Sequence, residues 1–160
     1  MDVVANGVSG RMADKLDLYH RQILQPEGDP MDGNGFGIIG ELQQPVESMA
    51  FLQQVKEIFR CDRLRYTTPH TPFMQRVAVC GGAGASFFKQ ALAGQADIYI
   101  SGDFKYHDFF LTENRIMIAD IGHYESEQFT KEIFYEILTK KISKFAVQFS
   151  EINTNPIKYL

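Results

Sequence analysis

The stretch from Arg76 to Phe129 repeats one pattern: a short apolar run, a turn, then a segment long enough for a helix. "RVAVC" leads into "GGAG" and "ASFFKQALAG", "DIYIS" into "GD" and "KYHDFFLTE", and "IMIAD" into "IG" and a long amphipathic segment. Short strands separated by helices imply βαβ units, because parallel neighbours need a crossover rather than a tight hairpin. The near-continuous apolar run of "IMIA" suits a strand covered on both faces. The pattern predicts an α/β fold, with a central mostly parallel or mixed sheet and helices on both faces.

The flanking segments are less regular. A helix is expected over roughly Gly7–Leu16. Another is expected in "PVESMAFLQQVKEIFR", where Val46, Met49, Leu52, Val55, Ile58 and Phe59 recur at helical spacing. Leu64–Tyr66 reads as a short strand, and "KFAVQFSEI" as a closing fourth strand with partial alternation. "QPEGDPMDGNGFGIIGELQQP" holds three prolines and five glycines, so it reads as loop with one short strand at Phe36–Ile39. The expectation is one domain over residues 1–160, with a loop-rich segment at 1–45 and an α/β core at 46–160.

Composition excludes several classes. A net charge of −4, with basic residues scattered, gives no footprint for nucleic acid. No apolar run reaches membrane-spanning length, and no secretory leader is visible. The two cysteines, Cys61 and Cys80, form no CxxC pair and read as reduced thiols of a cytoplasmic protein.

In open α/β sheets, ligands gather beyond the carboxyl ends of the strands. The three central strands end in Cys80–Gly84, in Gly102-Asp103-Phe104-Lys105-Tyr106-His107 and in Asp120-Ile121-Gly122-His123, and parallel strands would bring all three groups to one rim. At about 100° per residue, His123 and Glu127 project into the apolar arc formed by Phe129, Ile133, Phe134, Ile137, Leu138 and Ile142 of the long helix. Glu125, about 160° from Glu127 on the same projection, falls on the solvent side with Glu132 and Glu136. An inward carboxylate must be paired, protonated or metal-bound. An imidazole and a carboxylate one helical turn apart suit zinc, manganese or iron. The same two residues also suit an ordinary helix start. Asp103, Lys105 and His107 are candidates for positioning a substrate anion or moving protons, and equally for a capped short helix with solvated side chains.

The ordered strings "RVAVCGGAGASFFKQAL", "ADIYISGDFKYHDFF", "DIGHYESEQF" and "FSEINTNP", with "NGVSGRMADKL" and "GNGFGIIGEL" upstream, closely resemble the NIF-three-like family. Its bacterial members are often catalogued as GTP cyclohydrolase I type 2 homologs. The resemblance implies two divalent metals (Zn, Mn or Fe) per intact site, between two α/β halves, in subunits assembled as ring-shaped hexamers. It implies His123 and Glu127 as ligands, the glutamate bridging both metals, and Asp2 as a third. The family's N-terminal half, with its adjacent histidine ligands, has no counterpart here, so the chain is expected to be a truncated member with an incomplete site.

Two functions follow as expectations. One is a metal-dependent hydrolase acting on a nucleotide or other small molecule, with Asp103, Lys105 and His107 handling protons or substrate charge. The other is a non-enzymatic homo-oligomeric assembly or protein-interaction module.

Overall fold

The computed structural model describes residues 4–29, 32–142 and 144–160. One sheet of six strands organises them: β1 (Tyr19–Pro26), β2 (Gly35–Glu47), β3 (Arg65–Tyr66), β4 (Phe73–Ala83), β5 (Ile98–Gly102) and β6 (Met117–Asp120). Their order across the sheet is β1-β2-β4-β5-β6-β3. The pairs β4/β5 and β5/β6 are parallel, whereas β1/β2, β2/β4 and β3/β6 are antiparallel. The sheet is therefore mixed around a parallel centre, and the register aligns Val77 with Ile98 and Ile98 with Met117.

Because side chains alternate along each strand, the central strands feed two apolar layers. Val77, Val79, Ile98, Ile100, Met117 and Ala119 face one layer, covered by α1 (Val4–Lys15) and α2 (Ser48–Ile58). Ala78, Cys80, Tyr99 and Ile118 face the other, covered by α3 (Phe88–Ala93). Ser9, Met12 and Ala13 of α1 are buried with Leu16 just beyond it, at helical spacing. The start of α2 is capped by the Glu47 carboxylate, which accepts from the main-chain N–H of Met49 at 3.1 Å and of Ala50 at 2.7 Å.

Three expectations change. The boundary at residue 45 falls inside β2, and the segment read as loop holds a hairpin, β1 with β2, that continues the central sheet. Its glycines and prolines suggest punctuation, but β2 is paired on both sides, and these two ladders override the local signal. The long helix breaks into α4 (His123–Glu127) and α5 (Thr130–Lys141). At the break, Gln128 Nε2 donates to the carbonyls of Phe59 (2.6 Å) and Glu125 (3.0 Å), and the buried Phe129 ring meets Phe59. As a result α5 buries none of its side chains, and Phe134, Leu138 and Ile142 stay exposed instead of entering the core. Finally, residues 144–160 form no strand. They run along α4 and α5, held by the stacked rings of Tyr135 and Phe149 at 4.6 Å and by Asn155 Nδ2 donating to Glu125 Oε1 at 3.1 Å. A strand requires a ladder partner, and no seventh strand joins the sheet among the described residues.

Phe51 is 1% exposed in the α2 layer, whereas Met49, two residues earlier and on the opposite face, is 44% exposed. Phe51→Ala should lower unfolding free energy by about 3–5 kcal/mol, and Met49→Ala by less than about 0.5 kcal/mol. Chemical denaturation of the two variants beside the parent measures both.

Candidate functional site

Parallel β4, β5 and β6 bring their three carboxyl-terminal turns to one rim. Backbone contact there is close. A Cβ placed on Gly102 would lie 2.8 Å from the main-chain nitrogen of His123 and 2.8 Å from the carbonyl carbon of Gly122, so the end of β5 touches the turn before α4 only because residue 102 has no side chain. That contact sets Asp103 against His123, and Asp103 Oδ2 lies 2.6 Å from His123 Nδ1. On the other side of the ring, His123 Nε2 lies 3.3 Å from Glu127 Oε2, one helical turn on. Gly82, at φ +68°, completes the space: a Cβ there would fall 2.6 Å from Glu127 Oε1.

Beneath this group lies a buried polar frame. Ser126 Oγ accepts from Gly82 N–H at 2.8 Å and donates to the His123 carbonyl at 2.8 Å, tying α4 to the turn after β4. Asp120 ends β6 with its side chain 4% exposed. It accepts from Arg65, from Phe104 N–H at 3.2 Å and from Gly122 N–H at 3.0 Å. Arg65 also donates to the Phe104 carbonyl at 2.7 Å. The sequence places Asp120 at this rim, as the aspartate closing an otherwise apolar strand, but does not show its part in the frame.

Two assignments made on helix geometry change place. Glu125, expected on the solvent side, is buried and bonded to Asn155, whereas His123 and Glu127 are 47% and 43% exposed. The projection took the apolar arc of one continuous helix as the direction of the core. The helix breaks, and the arc of α4 that carries His123 and Glu127 faces an open cleft. A cavity of about 440 Å³ lies on one side of His123, bounded by Arg63, Arg65, Asp103 and Tyr159. Another of about 630 Å³ lies on the other, bounded by Glu127, Lys131 and residues of the C-terminal segment.

Of the residues singled out in the sequence, the structure gathers Asp103, His123 and Glu127. Lys105 and His107 belong to the adjoining 3₁₀ helix Tyr106–Thr112, whose start is held by Asp108 Oδ2 accepting from Lys105 N–H at 2.7 Å. The His107 ring lies against Tyr106 and Phe110, and neither it nor Lys105 Nζ bonds to the His123 group among the described residues. Asp2 lies outside the described residues.

The hydrogen bond to Asp103 raises the pKa of His123; partial burial opposes this, and the Glu127 charge adds to the rise. The same bond has a chemical consequence. A carboxylate on Nδ1 fixes that nitrogen as the protonated one in the neutral ring, leaving the Nε2 lone pair toward Glu127. Nitrogen and carboxylate oxygen at that spacing suit one edge of a divalent metal site. Among the described residues, no group of three or more His, Cys, Asp or Glu side chains is arranged to hold a metal ion.

Two outcomes test this geometry. Gly102→Ala should cost about 1–3 kcal/mol by overpacking and should perturb the His123 imidazole resonances in an NMR spectrum. Cys61, buried with Sγ 3.6 Å from the Ile121 carbonyl, has its thiol pKa pushed up to about 12, mainly by burial and then by the Glu125 charge. The fold thus favours the neutral thiol. Stability should be unaffected by this group at neutral pH and fall as pH rises past 9, the ordinary thiol value. Iodoacetamide labelling at pH 8 should spare Cys61 until the protein unfolds.

Known proteins share both the sequence and the fold. Residues 1–156 match the family described as Duf34/NIF3 (NGG1p interacting factor 3). A Staphylococcus epidermidis protein described as GTP cyclohydrolase 1 type 2 homolog is 38% identical over 130 residues, 78% of this chain and 35% of that protein. A Streptococcus pneumoniae protein of the same description is 33% identical over 168 aligned positions, covering 100% of this chain and 62% of the relative. The chain thus spans between about a third and two thirds of the length of these curated relatives. Among solved structures, Staphylococcus aureus protein SA1388 superposes with a TM-score of 0.82 at 20% identity, over 100% of this chain and 67% of that one. A Bacillus cereus protein related to NIF3 gives a TM-score of 0.67 at 27% identity, over 79% and 36%. With nearly every residue inside the family match and the same fold in its relatives, this chain belongs to the Duf34/NIF3 family.

Proposed function

We propose that the chain carries one side of a divalent-metal centre in a metal-dependent hydrolase. The single observation that supports this reading is the chain of contacts Asp103 Oδ2–His123 Nδ1 at 2.6 Å and His123 Nε2–Glu127 Oε2 at 3.3 Å. His123 Nε2 and Glu127 hold the cation, zinc, manganese or iron, and Asp103 acts behind the histidine by fixing its tautomer. A bound divalent ion would supply a water of lowered pKa as nucleophile. Completing the centre, with its second metal, takes further ligands, of which Asp2 is one. Gly82 and Gly102 keep the space around these donors free of side chains. Lys105 and His107, next along the rim, handle substrate charge or protons.

A nucleotide substrate enters the proposal through the description that the relatives carry. The cellular setting we assign is the cytoplasm, in keeping with two free cysteines. No helix among the described residues is long and apolar enough to cross a membrane.

A second reading, a non-enzymatic assembly module, has its own support in the exposed Phe134 and Leu138 on α5, with Ile142, Phe145 and Ile152 beyond it. The same surface suits the contact between subunits of a ring hexamer, so the two readings separate at the metal rather than at assembly.

Metal content per chain, measured by elemental mass spectrometry on protein purified without chelator, tests the first reading. Near-stoichiometric metal is expected in the parent and none in His123→Ala. Asp103→Asn should retain metal but with about 10–100-fold weaker affinity. Equal metal in parent and His123→Ala, or none in either, removes the hydrolase reading and leaves the assembly module.

A further inference from the structure

β3 is the last strand on its side of the sheet, and its outer edge is unpaired. In its antiparallel ladder with β6, Arg65 stands opposite Asp120 and Tyr66 opposite Ala119, and Thr67 N–H donates to the Ile118 carbonyl at 3.1 Å. Alternate residues of such a ladder turn their main-chain groups inward. Arg65 and Thr67 therefore bond toward β6, and the N–H and C=O of Tyr66 point away from the sheet. Neither group of Tyr66 has a hydrogen-bond partner among the described residues.

A hollow adjoins this edge on each face of the sheet. Leu64 and Tyr66, with Met49, Leu52 and Lys56, bound one of about 390 Å³. Arg65 and Thr67, with Tyr106, Phe109 and Phe110, bound one of about 320 Å³. Leu64 packs on the α2 layer and Phe109 on the α3 layer, which puts the hollows on opposite faces. Tyr106 and Phe110 meet edge to face, their centroids 5.3 Å apart at 69°, and leave an open corner. The local charge is cationic in a chain of net charge −4. Lys56 and Arg63 bound the first hollow against the single carboxylate of Asp62, and Arg65 spends only Nη2 on Asp120 and the Phe104 carbonyl.

We propose that the outer edge of β3 accepts an added strand from another protein: an extended acidic peptide with an apolar centre, antiparallel to β3. The peptide residue opposite Tyr66 exchanges both main-chain bonds with it and places its side chain in the α2-side hollow. Its two neighbours then point to Tyr106 and Phe110, because successive side chains of a strand alternate between faces. Flanking carboxylates meet Lys56, Arg63 and Arg65. A second copy of this chain suits the edge less well, since its own Leu64 is committed to its own α2 layer and brings no free side chain to either hollow. The inference takes nothing from the metal reading and nothing from the α5 surface.

The test is an NMR titration of the chain, with no metal added, using the capped peptide DEVLVED and its charge-reversed form KKVLVKK. Saturable shifts are expected at residues 64–67, at Lys56 and at Phe110, with slowed hydrogen exchange of the Tyr66 amide. Tyr66→Pro deletes the outward N–H while leaving the bonds to β6, a position where an edge strand accepts proline, and should weaken binding about tenfold. Tyr66→Ala keeps that N–H and should weaken it less. Phe110→Ala, at an exposed position, should weaken it about fivefold without disturbing the fold. KKVLVKK should bind at least about tenfold more weakly at low salt. No saturable binding of DEVLVED, an unchanged Tyr66 amide, an unchanged affinity in Tyr66→Pro or Phe110→Ala, or equal affinity for KKVLVKK overturns the proposal. So does a dimer in sedimentation that Tyr66→Pro dissolves, which would give the edge to a second copy.

Discussion

The rim of the sheet depends on the buried carboxylate of Asp120. One side chain joins four pieces of backbone: its own strand β6, edge strand β3 through Arg65, the segment after β5 through Phe104 N–H, and the turn before α4 through Gly122 N–H. A buried charge is tolerable only when its lone pairs are filled by donors, and here three are supplied, one of them cationic. Removing one donor would leave the others around an underpaired charge, so the four pieces are ordered together. His123 and Asp103 each lie beside one of the groups that Asp120 holds, and their contact inherits its precision from that frame.

Glycine extends the same logic. At residues 82 and 102 the chain gives up side-chain packing to let polar groups of neighbouring segments meet: Glu127 beside the turn after β4, and the His123 backbone beside the end of β5. Both are costs in an α/β core, where a side chain would otherwise add buried area. They are located around Asp103, His123 and Glu127, which separates this rim from an ordinary strand-to-helix connection.

The sequence made the parallel centre legible because β4, β5 and β6 are short apolar runs with helix-length spacers, and such runs have few alternatives. It also put His123 and Glu127 one turn apart after a glycine, where the structure has them in contact, though facing a cleft rather than the core. What it hid was set by tertiary pairing. The β1/β2 hairpin carries glycines that read as breaks, yet its ladder with β4 decides its state. "KFAVQFSEI" has strand composition but no ladder to join. Glu125 was misplaced because a helical projection knows the period of a helix but not where the helix ends, and Gln128 and Phe129 end it by bonding and packing to Phe59.

That break also divides the chain mechanically. α4 is pinned by Ser126 to the turn after β4, and the break itself by the buried Phe129 against Phe59 just past α2, while α5 buries none of its side chains. Local opening proceeds element by element according to what each buries. α5 is held to α1 by surface pairs instead, Lys15 to Glu132 at 3.0 Å and Arg11 to Glu136 at 2.8 Å, so it is the element that opens at least cost while the imidazole and carboxylate before it stay tied to the rim.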